Sequence, residues 1–372
     1  MFIKQQINKL ILNRKIIIAI FLFLLSIFFC SRTIDSQHDK NTVLANINFP
    51  QSEWQYLTPQ EAEIDSLRWQ LWNARQNPQG SSKFGEQHDV NEWGIVLAKD
   101  GYIVKTWGNP DYLYQSASVG KAFTKIALQL AIDEGLIESE NDLVKDYWTG
   151  KNLLSHDYKY LDRAHHNSLT FKHLWKHEGG FPITNGYKWL EKSDIPLWAD
   201  YTGDPIADNY AHIEPGTKYF YASGGYWRLT QALTAVWGQS LKDVLDEKLF
   251  GKMNISPERW NWLSGREVHE NVDFYPEMPH YGAFIDPPYE IAGHSCVGGG
   301  GWVVMSPKDL ARVGTLIDTR GMWRGERLIS DTELLAGHRG GNDSNLFARD
   351  GFVWAQVTTT GIEMPKFLWR NR

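Results

Sequence analysis

Residues 116–135, SASVGKAFTKIALQLAIDEG, leave the chain few options. Val119, Phe123, Ile126, Ala127, Leu130 and Ala131 recur at helical spacing over one broad side, and Gly135 is a stop signal. So wide an apolar side has to be covered, which predicts a mostly buried helix around which the rest is arranged. Its first turn is unusual for a core element, because Ser118 and Lys121 lie three residues apart. On a helix that spacing puts both side chains on one face, with the amine in reach of the hydroxyl. Ser118 then has two readings. Serine commonly caps helices, but it can also be a nucleophile if a base takes its proton, and a lysine desolvated among apolar neighbours can do that. Unpaired backbone N–H groups at a helix start also favour negative charge on an attacking oxygen.

The flanking stretches suggest what covers this helix. WGIVLAKDGYIVKTWG holds two β-favouring runs, from Trp93 and from Tyr102, joined at Asp100-Gly101, which predicts a hairpin. Upstream, Thr58 as N-cap, Pro59 at the first helical position and Glu61 three after the cap predict a helix through Ile64, Leu67, Leu71 and Ala74. Residues 31–57 are polar and mixed and read as a tether, so the folded domain is expected to span 58–372. Further helices are predicted at Thr170–His177, at about 225–236 and, capped, from Ser306. A helix, antiparallel strands and then a long helical middle point to an α+β plan in which a helix packs on an antiparallel sheet.

The first thirty residues are of another kind. Lys4, Lys9, Arg14 and Lys15 precede an apolar run from Ile16 to Cys30 broken only by Ser26, a secretory pattern. A bilayer core needs about 20 apolar residues for a comfortable span, so this shorter run reads as a signal segment, with an uncleaved anchor as the alternative. Cys30 has the place of a lipoprotein cysteine, although Phe29 stands where that signal wants a small residue. The expected location is therefore extracytoplasmic, with membrane contact only through this segment. Cys296 alone remains in the body of the chain, so no intrachain disulfide is expected. The net charge of −6, which becomes −10 without the four basic residues of the leader, argues against nucleic acid as a partner.

A second chemistry-bearing stretch is EPGTKYFYASGGYWRLTQAL, residues 214–233. A Pro-Gly turn leads into a strand-like Tyr219-Phe220-Tyr221, then Ala222-Ser223, a glycine pair and a helix. Tyr221 and Ser223, two apart in such a loop, can face the same way. A tyrosine hydroxyl beside an ammonium has its ionised form favoured, so Tyr221 can shuttle a proton between the serine and a leaving group. Packing with a wet hydroxyl is the ordinary use of a tyrosine and the competing reading.

The ordered set SASVGK, LTFKHLWKHEGGFP, EPGTKYFYASGGYWRL and GGGGWVVMSPKDLARVGTLI resembles the serine hydrolases related to class C β-lactamases and D,D-peptidases, over about residues 60–330. The resemblance implies a lobe built on an antiparallel sheet flanked by helices, an all-helical lobe, and an active site between them. It implies Ser118 as the acylated nucleophile, Lys121 as its partner and Tyr221 as the base of a Y-x-N element. Ser223 stands where the family usually has Asn, a departure that bears on how a substrate amide is recognised. The third element of the family, a K-T-G or H-x-G strand, has two candidates here. Thr359-Thr360-Gly361 follows the strand-like GFVWAQV, and His338-Arg339-Gly340 lies in a glycine-rich stretch; the strand context favours the threonines. They lack the cation, which makes strong carboxylate binding less expected. His177 and His294 read as structural or surface histidines. The implied activity is hydrolysis of a small ester, amide or peptide, with no metal or organic cofactor. Tyr112, Tyr114, Tyr219, Tyr226, Trp227 and Trp302 would suit a broad apolar group at the cleft.

Overall fold

A computed structural model describes residues 47–67, 69–70, 93–116, 118–148, 164–181, 209–270, 285–330, 334, 346–349 and 351–358. The hairpin forms where the sequence puts it. Strands β1 (Trp93–Lys99) and β2 (Tyr102–Gly108) are joined through Asp100 and Gly101, both at positive φ, the geometry that an Asp-Gly turn supplies most easily. β1 pairs antiparallel with β2 on one side and with β11 (Phe352–Thr358) on the other, and β10 (Leu346–Arg349) completes the order β10-β11-β1-β2. The GFVWAQV run is thus an inner strand, as its apolar composition suggests.

Both faces of this sheet are covered. Val96 and Ala98 face the main core, together with Leu310, Val313 and Leu316 of the helix Pro307–Asp318, whose N-cap Ser306 accepts the Asp309 N–H as expected. Ile95 and Leu97 face the other way, against Trp107, Trp354, Ala62 and Ile64. A second sheet has the order β3-β7-β4, from Tyr114–Ser116, Val303–Met305 and Trp260–Trp262. Two short ribbons, β5-β6 (Glu290–Ile291, His294–Ser295) and β8-β9 (Met322–Trp323, Glu326–Arg327), complete the strands of the described residues.

The helical part is built on α1 (Gly120–Asp133), which is buried from Gly120 to Ala131. It ends at Gly135, at φ +71, where the Leu136 N–H returns to the Ala131 carbonyl. After the short helices α2 (Val144–Trp148) and α3 (Phe171–Trp175), α4 (Ser223–Trp237) lies against α1 and stops at Gly238, again left-handed. α5 (Leu241–Lys248) and α6 (Gly265–Glu270) follow, and the helix 307–318 is α7. Phe123 of α1 is ringed by Phe250, Trp260 and Trp262, each with its ring centre within about 6 Å. The architecture is α+β, with antiparallel sheets and a helical portion, as the sequence implies.

Three local expectations change. The Thr58–Glu61 capping box is present, with the Thr58 N–H donating to Glu61 Oε2 at 2.8 Å and the Glu61 N–H to Thr58 Oγ1 at 3.2 Å. It closes a single turn that ends at Glu63, at φ +55, and helix resumes at residues 66–67 and 69–70; residues 71–74 of the expected helix lie outside the described residues. Tyr219-Phe220-Tyr221 is no strand; the Phe220 N–H donates to the His177 carbonyl at 2.8 Å. Lastly, the packed part begins ahead of Thr58. Trp54 is buried, Tyr56 bridges to Ile103, and Arg312 donates to the Pro50 and Ser52 carbonyls at 3.0 and 3.1 Å, so residues 49–57 are part of the fold. The leader 1–30 and most of the expected tether lie outside the described residues.

Candidate active site

Ser118 sits in the turn that leads into α1, two residues after β3 ends at Ser116. The N-cap position belongs to Val119, without a side-chain cap, so capping is not the use made of Ser118. Its hydroxyl accepts instead from Lys121 Nζ at 3.3 Å. Lys121 is 1% exposed, on the first turn of a helix that the core surrounds. Its ammonium also donates to the Gly300 carbonyl at 2.5 Å and to Ser223 Oγ at 3.4 Å. It lies 4.7 Å from the centre of the Tyr221 ring and 5.5 Å from that of Tyr226, within cation–π range of both.

Gly298–Gly301 shapes the floor. Thr124 of α1 donates to the Gly299 carbonyl at 2.8 Å, and Trp262 Nε1 to the Gly301 carbonyl at 2.8 Å. A side chain here would collide: a Cβ on Gly120 would lie 2.2 Å from the Gly301 oxygen, and one on Gly300 would lie 2.9 Å from Ser223 Cβ. Four glycines in a row let carbonyls press onto the first turn of α1, and one of those carbonyls fixes Lys121. The run GGGG was the signal for this in the sequence, which gave it no role in the site.

The opposite wall comes from the 214–223 stretch. Ser223 opens α4 and is 3% exposed, with its hydroxyl turned to Lys121. Tyr221 precedes it, half-buried, and presents its ring face to the ammonium. Its hydroxyl makes no hydrogen bond to Ser118 or Lys121; the phenol meets the ammonium through its ring face. His177, expected to be a structural or surface histidine, packs on Tyr221 with ring centres 4.6 Å apart. No local signal marks it, because its neighbours come from residues 40 or more positions away. His294 lies in the β5-β6 ribbon, paired with Ile291.

Of the aromatic residues expected at the cleft, Tyr226 is anchored by its hydroxyl to the Trp175 carbonyl at 2.8 Å, and Trp227 is buried with Nε1 on the Asp286 carbonyl at 2.9 Å. Trp302 follows the glycine run at φ +58, a costly conformation for so large a side chain, and its N–H donates to the Ser116 carbonyl. Tyr112 and Tyr219 are exposed, and Tyr112 packs on Tyr114. Thr359, Thr360 and Gly361, and the competing His338, Arg339 and Gly340, lie outside the described residues.

The sequence matches the family described as Beta-lactamase over residues 82–362. The chain belongs to this family. A protein of Escherichia coli O157:H7 assigned by name as a D-alanyl-D-alanine carboxypeptidase is 25% identical over 177 residues, 46% of this chain and 40% of that one. The unguisins hydrolase of Aspergillus campestris is 22% identical over 228 residues, covering 56% of this chain and 38% of the relative. The chain thus spans about two fifths of the length of both curated relatives. Among solved structures, a protein from Bacillus anthracis assigned by name as a 6-aminohexanoate-dimer hydrolase superposes with TM-score 0.50 at 13% identity, over 86% of this chain and 84% of that one. At that identity the likeness speaks to the fold.

Proposed function

We propose that this β-lactamase-family hydrolase is an extracytoplasmic esterase or amidase that works through an acyl-enzyme on Ser118. The observation that carries the reading is the placement of Lys121 Nζ, 3.3 Å from Ser118 Oγ and 4.7 Å from the Tyr221 ring centre. Ser118 Oγ attacks the carbonyl carbon, and its proton passes to the Lys121–Tyr221 pair. Backbone N–H groups, that of Ser118 among them, stabilise the oxyanion. The pair returns the proton to the departing alcohol or amine as the carbonyl bond to it breaks, and water then hydrolyses the serine ester. A small shift of Tyr221 brings its hydroxyl into the path, in keeping with catalytic hydrogen bonds that tighten only once substrate is bound.

Ser223 in place of Asn shortens the group that would hold a substrate amide, and exposed Tyr112 and Tyr219 favour an apolar acyl or leaving group. Esters or simple amides fit this wall better than β-lactams. The names of the relatives keep D-Ala peptides among the substrates to be tried. The secretory pattern of residues 1–30 supports export; mass spectrometry of the mature protein should show loss of the leader or a diacylglyceryl mass on Cys30, and an intact Met1 in membranes would mean an anchor.

The same Ser223 substitution and the unengaged Tyr221 hydroxyl favour one rival, an envelope binding or sensor protein that acylates without turnover. A fluorescent phosphonate should label wild-type protein and not Ser118→Ala. Labelling with turnover of p-nitrophenyl esters, nitrocefin or D-Ala peptides supports the hydrolase, whereas labelling with no turnover of any supports the sensor. A folded wild-type protein that takes no label would sink both.

A further inference from the structure

We propose that His177 is a positioning residue that fixes Tyr221, and with it the first turn of α4, against Lys121. The role rests on the reading of Ser118, Lys121 and Tyr221 given above. His177 brackets Tyr221 with two backbone bonds. Its carbonyl accepts the Phe220 N–H at 2.8 Å, and its ring Nδ1 accepts the Ala222 N–H at 3.0 Å, so the N–H groups of the residues before and after Tyr221 end on one residue. Ala222 is the N-cap of α4 and provides no side-chain cap, which leaves the imidazole to satisfy the first N–H of that terminus.

The ring does a second job. It lies 4.6 Å from the Tyr221 ring and 4.9 Å from that of Tyr226, at interplanar angles of 36° and 42°. Tyr226 is tied down through its hydroxyl, so Tyr221 is gripped between a fixed aromatic pair and the Lys121 ammonium. To offer ring and carbonyl together, His177 adopts φ +60, a left-handed conformation uncommon outside glycine that histidine, like asparagine and aspartate, takes more often than most side chains. Backbone strain held at a site by its surroundings is a mark of functional placement. An Nδ1 that accepts a backbone N–H carries no proton, so the neutral ring is the Nε2–H tautomer.

Three substitutions separate the roles. His177→Asn keeps the left-handed backbone and offers Oδ1 near the place of Nδ1; His177→Gly keeps the backbone and loses the acceptor; His177→Ala loses both. Phosphonate labelling of Ser118 and kcat for an ester should fall about tenfold to a hundredfold in the Gly and Ala forms, with KM within about twofold, as a misplacement of about 1 Å can produce. Asn should restore the rate to within about threefold of wild type. Melting temperatures identify any variant that has simply lost its fold, and the Gly-to-Asn comparison stands if Ala does not fold. Independently of activity, nitrogen NMR of histidine-labelled protein should find His177 as the Nε2–H tautomer. Wild-type rates in folded His177→Gly, no gain from Asn over Gly, or an Nδ1–H tautomer would overturn the assignment. A wild type that takes no label would defeat the Ser118 reading instead, and the tautomer would still judge the grip on Tyr221.

Discussion

Lys121 and Arg228 are both sealed inside the protein, each 1% exposed, and they are held in opposite ways. Arg228 meets the buried carboxylate of Asp286 with both terminal nitrogens, at 2.8 and 2.9 Å. It also donates to the Asn209 carbonyl at 2.7 Å and to Gln231 at 2.9 Å. Burial pushes the Asp286 carboxyl up and the Arg228 guanidinium down, and the attraction and paired hydrogen bonds between them work against it. A bidentate pair of this geometry keeps both charges. Lys121 has no carboxylate partner among the described residues; it meets a carbonyl, two hydroxyls and two aromatic faces. A cation locked to a carboxylate is committed to the fold. One surrounded by neutral oxygens and π faces leaves no buried counter-charge stranded when it is replaced.

The largest test of this contrast breaks the committed pair. Asp286→Ala leaves a buried guanidinium uncompensated and should cost about 3–5 kcal/mol of stability by denaturant unfolding. Loss of less than about 1 kcal/mol would erase the distinction. Next, Lys121→Ala and Tyr221→Phe should each lower the rate of Ser118 acylation about a hundredfold or more, about 2.7 kcal/mol in the barrier. Both should melt close to wild type; near-wild-type acylation in both would show that neither moves the proton. Gly120→Ala should destabilise by about 1–3 kcal/mol by forcing the Gly301 carbonyl off the helix. It should also slow acylation, because the same loop holds Lys121. The smallest effect concerns Cys296, whose thiol is pushed up to about 12, chiefly by burial. A thiol-specific reagent at mildly alkaline pH should leave Cys296 of the folded protein unmodified, read by peptide mass mapping, and react with it only after denaturation; ready modification of Cys296 in the native form would refute its inertness.

The sequence made legible what is settled within a few residues. Asp100-Gly101 forces a hairpin, Ser306 caps α7, Gly135 ends α1, and the Ser118–Lys121 spacing follows from helix geometry. It misled where a local preference met a tertiary partner. The Thr58 cap is real, but its turn ends at Glu63 and helix resumes only at residue 66; Tyr219 to Tyr221 look like a strand, yet the Phe220 and Ala222 N–H groups are taken by the carbonyl and ring of His177. Residues 49–57 look like linker because their anchors meet distant partners: Phe49 packs on Trp323, and Trp54 bonds to the Lys308 carbonyl 254 positions away. His177 was unreadable for the same reason, since its importance lies in what a distant loop brings to its ring.

The clasp around Arg312 sets a limit for anyone trimming this protein. Burial brings that guanidinium down to about 10, so it stays charged at neutral pH, and the Pro50 and Ser52 carbonyls are part of what solvates it. A version begun at Thr58 would remove both acceptors and the Trp54 lid over the guanidinium. A recombinant form without the leader should therefore start ahead of Phe49.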